Sequence, residues 1–355
     1  MKIFYDGSSA QFYNRQTMSI LRVSDAFEPN DITFTGWGKS WAEPDLIWVT
    51  QDKLTDELLE SGKPIIIEDY NSSPDIYENV RKIMDENTQV RAIVKSMALR
   101  RRTEYNLEQT NYSAHCHRLI HSDKDLDPED FGTGLSGRYL KHHQRENVRV
   151  MWNWIAWPLF RPARGPAISY SAFQFDKTEF ENNRQYDVNF IGNTSFDLGT
   201  VPHAGNKYSH SCIVLNKHRK NAIKQLERLK CPKLIQYRKR MPRLDYLKKM
   251  QESKIVVSPW GWEPMTYRDL EAVLCGCVLV KPYSHFVETW PEPYYVPCKE
   301  DFSNLSEVTR EILENWDDYT ERRVRAYNEL KEIDDQALAG RFSTIAKDCL
   351  FKDVI

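Results

Sequence analysis

A sequence of 355 residues exceeds one ordinary hydrophobic core and suits two. Hydrophobic residues make up 41% and charged residues 28%, which excludes a disordered chain. Lys+Arg number 49 against Asp+Glu 51, a net charge of −2, so the basic excess of a dedicated nucleic-acid binder is missing, although a local basic pocket for phosphate is allowed.

The opening run Lys2 to Tyr5 meets Asp6 and Gly7 at once, so it reads as a first β-strand and its loop rather than a signal peptide. Phe12, Met18, Ile20 and Leu21 supply apolar positions of a helix. Short, nearly continuous apolar runs follow at 32–35, 46–49, 64–67 and 90–94, the pattern of strands buried on both faces. Between them, Asp52 to Ser61 and Ser73 to Asn87 are amphipathic helix candidates, with Ser73 a plausible N-cap. Strand alternating with helix predicts a parallel, doubly wound sheet.

From Arg100 to about Pro166 the pattern is less regular. No apolar run approaches the roughly 20 residues of a membrane span. The longest, Val148 to Phe160, is broken by Arg149, Asn153 and Pro158. Seven cysteines, scattered apart from Cys275 and Cys277, fit a reduced compartment, so a soluble cytoplasmic protein without a membrane span is expected. Phe160 to Pro166 has the composition of a connector, and the alternation restarts near Gln185. The reading is a Rossmann-like unit over 1–175, a second Rossmann-like unit over 185–335, and a helical tail over 336–355 that crosses back to the first unit.

In the second half, strands are expected at 186–191, 233–237, 254–258 and 277–280, and helices at 217–230, 245–252 and 265–274. Residues 305–350 read as largely helical. The informative stretch runs from Ser258 to Val280: a buried strand, a Gly-containing loop, a helix and a second buried strand. Ligands of open α/β sheets sit at the carboxyl ends of strands, near helix N-termini that present backbone N–H groups. The loop from Pro259 to Thr266, with Gly261 inside it and Ser258 at its start, is thus a place to cradle a diphosphate. Gly192 and Tyr237 lie at the ends of two further expected strands and join the same candidate site. Glu263 precedes the helix and Glu271 lies about two turns into it; a carboxylate accepts paired hydrogen bonds from sugar or ribose hydroxyls. Arg268 and Glu271 are three residues apart on one side of that helix, and a guanidinium fork there is a phosphate clamp.

The block Pro259-x-Gly261-Trp262-Glu263, then Arg268-x-x-Glu271-Ala272, then Gly276-Cys277-Val278-x-Val280 resembles the donor-binding signature of exostosin-like glycosyltransferases. A looser match covers Tyr186 to Gly192 and Arg219. The resemblance implies a GT-B fold, two Rossmann-like doubly wound domains facing a central cleft, with the acceptor on the unit over 1–175 and the nucleotide sugar on the unit over 185–335. It implies transfer of a sugar from a nucleotide-sugar donor, typically UDP-linked, to a glycan acceptor with inversion, without a cofactor and without a metal held by an Asp-x-Asp motif. It places the ribose hydroxyls on Glu271, the diphosphate on Arg268 and the donor sugar near Glu263. Animal and plant members are usually Golgi membrane proteins, and this sequence departs from them in showing no anchor.

An inverting transfer needs a general base on the acceptor hydroxyl and electrostatic stabilisation of the leaving diphosphate. Arg268 suits the second task, helped by helix N-terminal amides and by Arg219 or Lys220. For the base, Asp69 follows the buried run Ile65 to Ile67 and Asp6 follows the first strand, so both lie at strand carboxyl ends; either could also be a helix cap or loop-stabilising residue. Two rivals stay open: a retaining GT-B transferase, and a glycan- or nucleotide-binding protein that has lost its base.

Other constellations are set aside. His115, Cys116, His117 and His121 lack the partners of a zinc pattern. Asp123, Asp125 and Asp127 lack the Gly and final Glu of a calcium loop. His142 and His143 and the run Arg238 to Arg240 read as solvated loops, and Trp152, Trp154 and Trp157 as core.

Overall fold

The computed structural model describes residues 1–6, 33–36, 43–69, 78–95, 148–150, 184–194, 207–236, 241–261, 266–284, 294–331 and 335–351. Its first sheet is built from β1 (Lys2–Asp6), β2 (Thr33–Gly36), β3 (Leu46–Thr50), β4 (Ile65–Asp69), β5 (Val90–Lys95) and β6 (Val148–Val150). The order is β2-β1-β3-β4-β5-β6, with every pairing parallel. Phe4, Ile47, Val49, Ile65, Ile67 and Ile93 line one face and pack under Leu58 of α1 (Asp56–Leu59) and Val80 of α2 (Glu78–Glu86). All five residues of β3 are buried, as its unbroken apolar run requires.

The second sheet holds β7 (Tyr186–Ile191), β8 (Lys233–Gln236), β9 (Ser253–Val257), β10 (Val278–Pro282) and β11 (Tyr295–Cys298), ordered β11-β10-β9-β7-β8 and again wholly parallel. Around it lie α3 (Lys207–Glu227), α4 (Arg243–Gln251), α5 (Tyr267–Leu274), α6 (Leu305–Glu314) and α7 (Trp316–Lys331). Alternate strand residues split between two cores. Val188, Phe190, Ile255, Val257, Val278 and Val280 meet α3 and α6, while Val256 and Leu279 meet α4, α5 and α7. This is the two-sheet, doubly wound α/β architecture that the alternation and the GT-B resemblance anticipate.

Helix α8 (Asp335–Phe351) runs on from the second sheet and packs on the first: Phe342 stacks on Trp48 of β3 with ring centroids 4.0 Å apart and planes 9° from parallel. Both rings are fully buried.

Several boundaries move from their expected places. Helix α3 starts at Lys207 rather than 217, because its first turn is polar and the run Cys212 to Leu215 after it is continuously apolar, so neither carries a 3.6-residue signal. Strand β11 went unread, since Pro297 within it masks a short edge strand, the one position in a sheet where proline is tolerated.

Candidate functional site

Strand order reverses at one point in each sheet. In the second sheet the chain leaves β7 for β8 on one side and returns to β9 on the other, so the carboxyl ends of β7 and β9 flank a crevice. The loop after β7 contains Gly192, Asn193 and Thr194; the loop after β9 contains Ser258, Pro259, Trp260 and Gly261. Helix α5 begins at the end of the second loop.

Arg219, on α3, ties the two loops together. Its Nη1 donates to the Asn193 carbonyl at 2.7 Å, and its Nε and Nη2 donate to the Trp260 carbonyl at 3.2 and 3.0 Å. Trp260 is held in turn by His218, one residue earlier on α3, whose imidazole stacks at 4.9 Å and whose Nε2–H donates to the Glu300 carbonyl at 2.8 Å. Arg219 is buried, and its pKa is pushed down to about 9, first by burial and then by the charge of Arg268. Two guanidinium groups thus converge at the carboxyl ends of β7 and β9.

Arg268 lies in the first turn of α5 and reaches back across the crevice over Gly192. A Cβ placed on Gly192 would stand 2.7 Å from Arg268 Nη2 and 3.4 Å from Cζ, so this position accepts hydrogen alone without shifting the guanidinium. Arg268 Nε is buried without a hydrogen-bond partner. Glu271, one turn further along α5, is 5% exposed, on the helix that carries Arg268.

Ser258 and Thr266 share a hydrogen-bond network centred on Asp269. Thr266 is the N-cap of α5, and its N–H donates to Asp269 Oδ2 at 3.0 Å while its hydroxyl donates to Asp269 Oδ1 at 3.1 Å. Ser258 Oγ also donates to Asp269 Oδ1, and Lys281 Nζ of β10 forms a buried ion pair with the same carboxylate. Asp269 and Lys281 escaped the reading of the sequence. The signal for Asp269 was present: Thr followed three residues later by an acid, ahead of an apolar helix, is the pattern of a capping box. Nothing local marks Lys281, whose strand reads as apolar and whose partner is set by tertiary folding.

Gly261 is buried and Gly192 half-buried beside Arg268. Lys220 is exposed. Glu263 and Tyr237 lie outside the described residues, as do His115, Cys116, His117, His121, Asp123, Asp125, Asp127, His142, His143, Arg238, Arg240 and the three tryptophans between 152 and 157. In the first sheet, Asp6 ends β1 and Asp69 ends β4. The reversal point of that sheet falls between β1 and β3, so Asp6 borders its crevice and Asp69 stands two strands away. Asp6 Oδ1 is buried without a hydrogen-bond partner. Among the described residues no group of three or more His, Cys, Asp or Glu is arranged to hold a metal ion, and no helix is long and apolar enough to cross a membrane.

No protein-family model matches the sequence, and no curated protein matches it in sequence. Among solved structures, the chain is similar to HepE of Anabaena bound to UDP, at 13% identity and TM-score 0.44, over 97% of this chain and 99% of that one. It is also similar to the lipopolysaccharide outer core galactosyltransferase WaaB, at 10% identity and TM-score 0.46, over 99% of each chain. An α1,3-fucosyltransferase matches at 10% identity and TM-score 0.39, over 99% of this chain and 90% of that one. These identities are too low to transfer a site from any of the three.

Proposed function

We propose that this chain is a glycosyltransferase that binds a UDP-sugar at the carboxyl ends of β7 and β9 and passes the sugar to a glycan hydroxyl, with inversion and without a metal. The reading rests above all on Arg219 and Arg268. Arg268 holds its guanidinium over Gly192 with Nε buried and unbonded, close enough to Arg219 for the two charges to repel, so the crevice concentrates positive charge and favours an anion. A diphosphate supplies one, and the first turn of α5 adds backbone N–H groups and a dipole of the right sign.

In this reading Arg268 grips the diphosphate through the face it turns toward Gly192, and Glu271 accepts hydrogen bonds from the ribose hydroxyls. Arg219 holds the two loops in register and contributes charge from behind them. A carboxylate of the first sheet removes the acceptor hydroxyl proton as that oxygen attacks the anomeric carbon. The bond from that carbon to the diphosphate oxygen breaks, and the electron pair leaves with the diphosphate, where the guanidinium groups neutralise it. Asp6 fits the base better than Asp69, because it borders the reversal point of its sheet and keeps a buried oxygen unbonded. Two guanidinium groups at the leaving group take the place that a divalent cation holds in metal-dependent transfer.

The decisive experiment is calorimetric titration with UDP and a panel of UDP-sugars, followed by a transfer assay with and without chelator. Binding of UDP, turnover that survives chelation, and a product of inverted anomeric configuration are expected. Binding without turnover on any acceptor would instead mark a nucleotide-binding protein, retained configuration a retaining transferase, and failure to bind any nucleoside diphosphate would end the proposal.

A further inference from the structure

The pair Asp269 and Lys281 makes no contact with the donor in the scheme above, yet it holds the turn from which Arg268 projects. Both side chains are 0% exposed. Asp269 accepts from Lys281 Nζ at the end of β10, from Ser258 Oγ at the end of β9, and from the N–H and hydroxyl of Thr266 at the N-cap of α5. One carboxylate therefore fastens the first turn of α5 to the ends of two strands. The Lys281 ammonium also lies 5.6 Å from the ring centroid of Tyr295, whose hydroxyl accepts from the Ser284 N–H at 3.2 Å. A pair buried this deeply gains little stability over apolar residues of equal volume, so its distinctive property is geometric: charge and four donors leave the Asp269 carboxylate one arrangement.

Arg268 is the residue immediately before Asp269. We infer that Asp269 and Lys281 are positioning residues for the diphosphate site, fixing the rotation of the first turn of α5 so that the Arg268 guanidinium lies over Gly192 rather than in solvent. This rests on the donor reading above. A cap that merely stabilised α5 would weaken the protein whatever stood at 268. A positioning residue acts through Arg268 and loses its effect on binding once Arg268 is gone.

The test is a double-mutant cycle on UDP affinity, measured by calorimetry where circular dichroism shows each variant folded. The variants are Asp269→Asn, Arg268→Ala and their combination, with Lys281→Met run in parallel. Asp269→Asn and Lys281→Met each weaken UDP about tenfold or more, while Asp269→Asn adds no further loss to Arg268→Ala. Losses that multiply across the cycle, or an unchanged UDP affinity in both single variants, overturn the inference while leaving the donor reading intact. Should Asp269→Asn fail to fold, the combination Asp269→Asn with Lys281→Met keeps the volume without a lone buried charge and takes its place in the cycle. A wild-type protein that does not bind UDP refutes the donor reading itself, and this inference with it.

Discussion

Arg268 lies so close over Gly192 that the missing Cβ of the glycine is the space its guanidinium occupies: the gap to Nη2 would be 2.7 Å. The clash in Gly192→Ala falls on the end of a flexible side chain, so the arginine swings away at little cost. Stability should fall by less than about 1 kcal/mol in chemical denaturation. UDP affinity in the same protein should fall by about tenfold, since the displaced group is the clamp itself. Equal UDP affinity in the alanine variant would mean that Arg268 binds nothing in its observed position.

Arg219 carries a structural task as well as a charge. Arg219→Met leaves the Asn193 and Trp260 carbonyls without its three hydrogen bonds, and should cost about 1–3 kcal/mol. Arg219→Lys should not restore UDP binding, because one ammonium cannot span both carbonyls.

The pH dependence follows from the same residue. Burial and Arg268 lower the pKa of Arg219 to about 9, below its unfolded value, so the native state gives up this proton first and the group's contribution to stability improves above pH 9. A bound diphosphate favours the charged guanidinium and opposes that trend. The stabilisation conferred by UDP should therefore shrink as pH rises past about 9, and thermal melts with and without UDP between pH 7 and 10 would show a flat difference if Arg219 has no part in binding.

Asp6→Asn should abolish sugar transfer and leave UDP affinity within about twofold, because the amide keeps the shape but cannot take the proton. Asp69→Asn is the matched control. Full turnover in Asp6→Asn with loss in Asp69→Asn would assign the base to β4 instead of β1.

Removal of the Phe342 ring leaves Trp48 facing a void. Phe342→Ala should lower stability by about 3–5 kcal/mol and shift tryptophan emission to the red as water reaches the Trp48 ring. An unshifted spectrum at unchanged stability would show that α8 does not dock on the first sheet in solution.

Much of this molecule was legible in its residues, for a physical reason. Runs such as Leu46 to Val49 and Ile255 to Val257 are apolar on both faces, and only a sheet covered on both sides buries them. That periodicity is local and survives in a single sequence, as do the glycine before Asn193 and the Arg-x-x-Glu of α5. What the residues left open is which strand lies beside which. Strand neighbours are chosen by contacts far apart in the chain, and that choice puts Gly192 under Arg268, Lys281 against Asp269, and Arg219 across two loops. The same holds for Asp6 and Asp69: both end a strand, and the sheet order alone sets one at a reversal point and the other two strands off. Local pattern determined the elements and the chemistry available; tertiary packing decided which side chains meet, because a hydrogen bond or a buried charge is specified by distance in space and not by distance in sequence.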